Sequence, residues 1–501
     1  MDASVDRGGR SSGRRPHPSL KSSGRQGFRT SGSGSSGYRG GVRPNRKSDS
    51  RERPISREAR VFTFSSSGRD RGRPTGGGDR AGALARPAQA PRESPSEARA
   101  VAAPRGAWIA AAMAVAAVGW GANQFAPLLL MYRSDLPASS ATVQATYGLY
   151  AIGLIPGLLV AGPLSDRFGR KRILLPCLII SFIGSSVLMA AAAGTAWLFI
   201  GRLIAGVASG TAFSAGTAWI KELSRDDPAA GARRATIAMT VGFAVGPLVA
   251  GLIARWAPSP MLTSYIPHLV ITLIAIVLVV LTPTDPASDP SARVVAPLEL
   301  SGARRSRFLA IVVPLAPWVF GSSSIALAYL PEQTRSGLGD NALTFGAIST
   351  CLTMMAGIAI QPLAKRVDVS RLAAVSLGIV TAGLVVAAVA TAFGNSAVLI
   401  FLSTLVLGAG YGCCLVCGLG EVHRIAAPTN LGRVTAVFQA VAYTGFAAPY
   451  LLALLERAVG VPVLMAATAV LCVGTLIWIV NVGNRMEVIP APDRADARTD
   501  N

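Results

Sequence analysis

Gly162-Pro163-Leu164-Ser165-Asp166-Arg167-Phe168-Gly169-Arg170-Lys171-Arg172 is a charged island between two long apolar runs. Each run is long enough to cross a bilayer, which takes about 20 apolar residues in helical form. Charge set this tightly between two would-be spans has to lie in a very short loop at one membrane face. Lys and Arg beside spans mark the cytoplasmic side, because translocating them is costly. Orientation needs only the cations, so Asp166 in their midst calls for a further reason.

Composition places the rest of the chain in the same membrane class. Of 501 residues, 51% are apolar and 15% charged, with a mean hydropathy of +0.45, values that a soluble domain of this length does not show. The first hundred positions depart from this: they are rich in Arg, Gly, Ser and Pro and poor in aliphatics. About +14 of the formal +22 charge falls before Ala107, so the basic balance belongs mainly to that tail. Residues 1–106 therefore read as a disordered cytoplasmic tail that buries too little apolar surface to fold. Arginine-glycine stretches such as Tyr38-Arg39-Gly40-Gly41 could hold anionic lipid or RNA. The tail equally reads as a solvated appendage, or as an extension upstream of a start nearer Ala107; no nucleic-acid partner is expected. No apolar signal core precedes Ala107, so the first span is expected to act as the insertion signal.

Reading onward, apolar runs predict twelve spans near 107–132, 143–165, 172–193, 197–219, 234–256, 262–282, 308–331, 342–364, 371–393, 397–419, 432–454 and 461–483. Loops between them alternate in charge. Those holding Arg167 to Arg172, Arg225 to Arg234, Arg304 to Arg307, Lys365 to Arg371 and His423 to Arg433 are basic, whereas Ala191 to Ala196 and Phe393 to Ser396 carry no cation. An even number of spans with the basic loops inside puts both termini in the cytoplasm. The two halves also repeat. Leu198-Phe199-Ile200, Gly206, Gly210 and Gly216 recur as Ile400-Phe401-Leu402, Gly408, Gly412 and Gly418, and nearby shifts carry Trp120 onto Trp318 and Gly242-Phe243-Ala244 onto Gly445-Phe446-Ala447. A shared offset of roughly two hundred residues marks an internal duplication, which places a solute path between two six-helix halves. The expected organisation is an all-α integral membrane protein with an N-terminal bundle at 107–283, a cytoplasmic linker at 284–307, a C-terminal bundle at 308–484 and a tail at 485–501.

The spacing G-x-L-x-D-R-x-G-R-K resembles the loop signature of the major facilitator superfamily of secondary transporters. The resemblance covers about 107 to 484 and implies a cell-membrane carrier with twelve helices in two pseudo-symmetric bundles, working by alternating access without enzymatic chemistry. It implies that Asp166, Arg167 and Arg170 form a charge network at the cytoplasmic side, with Gly162, Gly169 and Lys171 completing the motif. From the residues alone, Asp166 either pairs with Arg170 or caps the following helix. The second half has only Gln361-Pro362-Leu363-Ala364-Lys365-Arg366-Val367-Asp368, without an aspartate at the matching place.

Arg202, with Gly206 and Gly210, resembles the superfamily's fourth-span arginine, linked to proton coupling. A guanidinium within a span normally faces a bundle interior, though one near the membrane surface can instead snorkel. Gly242-x-x-x-Gly246-Pro247-x-x-Ala250-Gly251 offers a smooth helix face for close packing and resembles the antiporter motif of the drug-efflux branches, with Ala250 in place of the usual glycine. That resemblance favours efflux by proton antiport over uptake. In the first span Trp120, Asn123 and Gln124 sit at membrane depth, where amides should not face lipid. Asn123 stands where drug:proton antiporters often carry an aspartate. With Gln144, Tyr147, Trp318 and Ser322 they are the expected cavity lining, neutral, aromatic and amide-rich, suited to an uncharged or amphipathic small organic solute. His268 is a second candidate for proton coupling, or a structural histidine.

Six cysteines all fall in apolar runs and act as small hydrophobes; Cys414-x-x-Cys417 lacks the further ligands of a zinc site, and no metal or cofactor is expected. The chain has no Gly-x-x-x-x-Gly-Lys-Ser/Thr loop, so ATP does not drive it. Two alternatives stand beside efflux: a facilitator or uptake carrier of a neutral metabolite, and a transporter-shaped sensor that moves no solute.

Overall fold

In hydrocarbon every backbone N–H and C=O must find its partner within the protein, and an apolar run meets that demand as a helix. The computed structural model describes residues 106–224, 227–283, 300, 302–427 and 430–486; most of the tails and the linker assigned from the sequence lie outside the described residues. Twelve helices long and apolar enough to span a membrane follow one another: α1 Trp108–Asp135, α2 Ser140–Phe168, α3 Arg170–Ala193, α4 Thr195–Glu222, α5 Ala229–Trp256, α6 Pro260–Leu281, α7 Gly302–Gln333, α8 Arg335–Ala364, α9 Val369–Ala392, α10 Ala397–Ile425, α11 Leu431–Val459 and α12 Val461–Arg485. No strand occurs among the described residues. Each predicted span has its helix, and most are longer than predicted. The largest difference is at α7, where helix starts at Gly302 because Arg304, Arg305 and Arg307 continue it beyond the apolar run.

Helix ends follow their local chemistry. The Ser139 hydroxyl accepts from the Thr142 amide at 3.0 Å to start α2, and the Asp227 carboxylate accepts from the Ala230 amide at 3.0 Å ahead of α5. Only Gly169 separates α2 from α3, and its φ of +94° is a conformation that glycine alone adopts freely. The signature loop is thus as short as its charge density required.

The two halves pack in the same order. In the first, α1 lies on α5 and α6, α2 on α4, and α3 on α4 and α6; in the second, α7 lies on α11, α8 on α10, and α9 on α10 and α12. Repeated glycines explain the closest of these crossings. A Cβ on Gly206 would strike the Tyr150 carbonyl of α2, and one on Gly210 the Leu154 carbonyl. Their counterparts Gly408 and Gly412 stand equally close to the Thr353 and Gly357 carbonyls of α8. Helices without side chains between them gain backbone-to-backbone packing, the main attraction left when lipid is as apolar as leucine. Outward faces are apolar to match: Leu273, Ile274 and Val277 on α6 and Val470, Leu471 and Ile477 on α12 are about half exposed or more.

Candidate functional site

At the basic-loop end, Arg170 is the hub of the signature. Its Nη2 pairs with Asp166 Oδ1, and with Glu222 Oε1 at the end of α4 at 2.8 Å; its Nε also donates to Glu222 Oε1 at 2.9 Å. Nη1 donates to the Ser165 hydroxyl and, at 3.4 Å, to the Gly162 carbonyl. Asp166 therefore takes the pairing alternative rather than capping α3. Lys171 donates to the carbonyls of Val280 (2.9 Å) and Thr282 (2.6 Å), orphan acceptors at the end of α6 where a cation is favoured. Arg167 lies 5.5 Å from the Phe168 ring. A Cβ on Gly162 would come within 2.9 Å of Ser214 Oγ on α4, so the glycine lets the last turns of α2 pack closely on that helix. Loop, α4 and α6 are thereby tied together within the first half.

The second half has a clamp of different build. Arg307 at the start of α7 grips Glu421 at the end of α10 with one edge of its guanidinium, Nε to Oε2 at 2.9 Å and Nη2 to Oε1 at 3.2 Å, and Arg424 adds a contact at 3.3 Å. The sequence places Arg307 at the end of the linker, and nothing in the primary order links it to Glu421, 114 positions away.

Between the halves lies a cavity walled by Asn123 of α1, Tyr147 and Tyr150 of α2, Phe213 of α4 and Phe243 of α5 on one side. Phe320, Ser323 and Leu327 of α7, Met354, Tyr411, Tyr443 and Phe446 complete the other. Rings dominate it: Phe320 stacks on Tyr443 at 4.1 Å and Tyr147 on Phe446 at 5.2 Å. Toward the end away from the basic loops the halves close on each other. Gln144 Nε2 donates to the Ala328 carbonyl at 2.8 Å, Arg133 pairs with Glu332 at 3.8 Å, and Arg255 with Asp340 at 3.7 Å. Gly251 has Ala347 of α8 so near that a Cβ would overlap it.

Of the lining expected from the sequence, Asn123 and Tyr147 are in the wall, Asn123 Nδ2 reaching Met354 Sδ at 4.0 Å. The others are elsewhere. Gln124 turns into the first half and donates to Ser185 Oγ of α3 at 3.3 Å, and Gln144 belongs to the far-end closure. Trp120 packs on α5, where Gly242 and Gly246 receive it; a Cβ on Gly246 would stand 2.9 Å from the Trp120 Cα. Trp318 donates from Nε1 to Thr475 Oγ1 of α12 at 3.2 Å, and Ser322 donates to the Val319 carbonyl of its own helix at 3.2 Å. The donors of Gln124, Gln144, Trp318 and Ser322 thus find a neighbouring helix or their own backbone rather than the cavity, while the Trp120 Nε1 is buried without a partner. Apart from Tyr147, the rings of the wall were not singled out from the sequence, because rings are ordinary core residues and sequence gives no helix azimuth.

Pro247 sits within α5, which runs on as one helix to Trp256. Arg202 is wholly buried and does not snorkel; Nη1 donates to the Ala122 carbonyl at 3.3 Å, and the guanidinium lies 4.4 Å from the Tyr150 ring and 4.5 Å from that of Phe125. His268 is buried, with Nε2 3.2 Å from Thr272 Oγ1, in a space that opens because residue 121 is glycine. All six cysteines are buried free thiols.

Residues 109–450 match the family model of the Major Facilitator Superfamily. The chain belongs to that superfamily and is a multi-pass membrane transporter, not an enzyme. Among relatives, the bacillibactin exporter of Bacillus subtilis (strain 168) is 34% identical over 145 residues, 27% of this chain and 36% of that protein. The glucose transporter GlcP of Staphylococcus epidermidis (strain ATCC 12228 / FDA PCI 1200) is 36% identical over 96 residues, 19% of this chain and 21% of that protein. The multidrug resistance protein MdtL of Klebsiella pneumoniae (strain 342) is 30% identical over 92 residues, covering 18% of this chain and 23% of that protein. The chain thus spans about a third or less of each relative's length. A D-xylose-proton symporter crystal structure shares the fold at a TM-score of 0.59 and 16% identity, over 77% of this chain and 97% of that one.

Proposed function

We propose that the chain exports a small organic solute across the cell membrane by alternating access coupled to proton antiport, with the basic loops and both termini in the cytoplasm. The observation that carries this is the aromatic cavity, walled by both halves and closed toward the end away from the basic loops by the interhalf contacts of Gln144, Arg133 and Arg255. Such a site serves a solute taken from one side and released to the other when the halves rock. The positive-inside rule puts the basic end in the cytoplasm. Export is supported by the Gly242/Gly246 face of α5 and by the likeness to the bacillibactin exporter and MdtL. No carboxylate lines the cavity among the described residues, so the candidates for coupling are two buried groups outside its lining, Arg202 and His268.

A second reading has one observation in its favour. Asn123 is in the cavity wall, at the place where an aspartate would carry a proton, which suits a facilitator. Proteoliposomes with a pH-sensitive dye inside separate the two readings. A solute-triggered, gradient-dependent pH change supports antiport; labelled solute exchange without a pH response selects the facilitator. Absence of exchange for every amphipathic compound offered removes the carrier reading in favour of a sensor.

A further inference from the structure

The buried charge nearest the cavity has no counter-charge. Arg202 is fully buried, and no Asp or Glu pairs with it among the described residues. Only Nη1 makes a hydrogen bond, to the Ala122 carbonyl, while Nε and Nη2 have no partner. The guanidinium is held instead by rings: Tyr150 at 4.4 Å, Phe125 at 4.5 Å and Tyr147 at 5.8 Å. Cation–π contacts of this kind offset part of the cost of burying a cation, but they leave directional donors unused. In a membrane interior such a residue pairs with an opposite charge or with backbone carbonyls, and here a single carbonyl serves one of its donors.

Two of the cage rings are also cavity wall. Tyr147 and Tyr150 line the central space beside Asn123, so Arg202 stands one ring-layer behind it. Nothing else in that wall carries a formal charge among the described residues, and the remainder is mostly aromatic. Resting on the carrier reading above, we propose that the solute is an aromatic organic anion. Its aryl body lies against Phe320, Tyr443 and Phe446 once the halves move apart, because the rings as packed here leave only about 20 Å³, room for a water molecule, and its carboxylate or equivalent anionic group is the missing partner of Arg202. Rotation of Tyr147 and Tyr150 side chains opens the wall and lets Nε and Nη2 donate to it as a bidentate pair. This replaces the uncharged solute that the residue types alone suggested: the amides that prompted that expectation mostly turn away from the cavity, and the arginine stands behind it.

The test uses the full-length protein in detergent and three probes of one shape and different charge: 2-naphthoate, 2-naphthamide and 2-naphthylmethylamine. Equilibrium dialysis should show 2-naphthoate binding at least about tenfold more tightly than the amide, the difference expected of a hydrogen-bonded charge pair, with the amine weakest. Arg202→Gln should abolish the preference and Arg202→Lys should keep part of it. Equal binding of acid and amide, preference for the amine, no saturable binding of 2-naphthoate, or an acid preference that persists in Arg202→Gln overturns the assignment. Should Arg202→Gln not fold, the wild-type series and Arg202→Lys decide. The carrier reading fails separately: 2-naphthoate binding without exchange in proteoliposomes removes transport and keeps the charge assignment, whereas exchange of a labelled neutral solute with 2-naphthoate refused does the reverse.

Discussion

Glu421→Gln should destabilise the protein far more than Glu222→Gln, although each removes one carboxylate from an arginine clamp at the basic-loop end. The difference comes from burial. Side-chain exposure is 10% for Arg307 and 3% for Glu421, against 16% for Arg170, 45% for Asp166 and 32% for Glu222. Removing Glu421 leaves a buried guanidinium without its partner, a loss of about 3–5 kcal/mol. Removing Glu222 leaves Arg170 with Asp166 and with water, and pairs so exposed contribute about 0–1 kcal/mol. At about 2–4 °C of melting temperature per kcal/mol for domains of this order, the two variants should separate by on the order of 10 °C. The six buried free thiols supply the assay, since a maleimide dye that fluoresces on reaction reports their exposure as the detergent-solubilised protein is heated. A compensating double variant, Arg307→Met with Glu421→Leu, removes both charges and should recover most of the loss, because apolar replacement of a buried pair is often neutral or better. Equal melting of Glu421→Gln and Glu222→Gln would refute the burial argument. A double variant no better than Glu421→Gln would show that shape at this site, not the pair, sets the cost.

Three further outcomes follow from the packing. Gly246→Leu forces a side chain against the Trp120 backbone at 2.9 Å and should cost about 1–3 kcal/mol in the same thiol melt, full stability with full exchange being the contrary result. Gly378→Ala, in α9 with no atom within 4 Å of the new Cβ, should instead gain about 0.5–1 kcal/mol of helix propensity, and a lower melting temperature would show a contact that the fold does not contain. Asp166→Asn removes the exposed partner of Arg170 and should leave melting within about 1 kcal/mol of wild type while cutting solute exchange in proteoliposomes; unchanged exchange would reduce the aspartate to a bystander of the topology signal.

Span number and internal symmetry were legible because the bilayer enforces them: apolar length decides each helix, and glycines that must let helices touch recur in both halves. Azimuth was not legible. Asn123 and Gln124 are adjacent amides in one span and read alike, yet a helix turns about 100° per residue, so one reaches the cavity and the other reaches Ser185 on α3. Trp318 and Phe320 repeat the lesson on α7, where the more conspicuous ring turns toward α12 and the plainer one enters the wall. Charges at span ends were legible as boundaries only. Their pairing depends on which helix ends meet, and Arg170 with Glu222 or Arg307 with Glu421 joins helices that the primary order separates by 52 and 114 positions.

The two clamps answer why the second half can dispense with the aspartate that the first half keeps. In the first half the tie runs from a one-residue turn to α4 and α6 through Arg170 and Lys171, groups near water whose bonds are inexpensive to break and remake. In the second half Arg307 ties the start of α7 directly to the end of α10, so no loop takes part and Gln361 to Asp368 need carry no copy of the motif. A buried bidentate pair is a poor moving part, since each opening exposes its full cost. If the halves rock as proposed, they divide the work: the second keeps its basic end as one rigid piece, and the adjustable contacts belong to the first. The same thiol melts bear on that division, because a rigid second half requires Glu421→Gln to damage the fold, whereas an adjustable first half requires Glu222→Gln and Asp166→Asn to spare it.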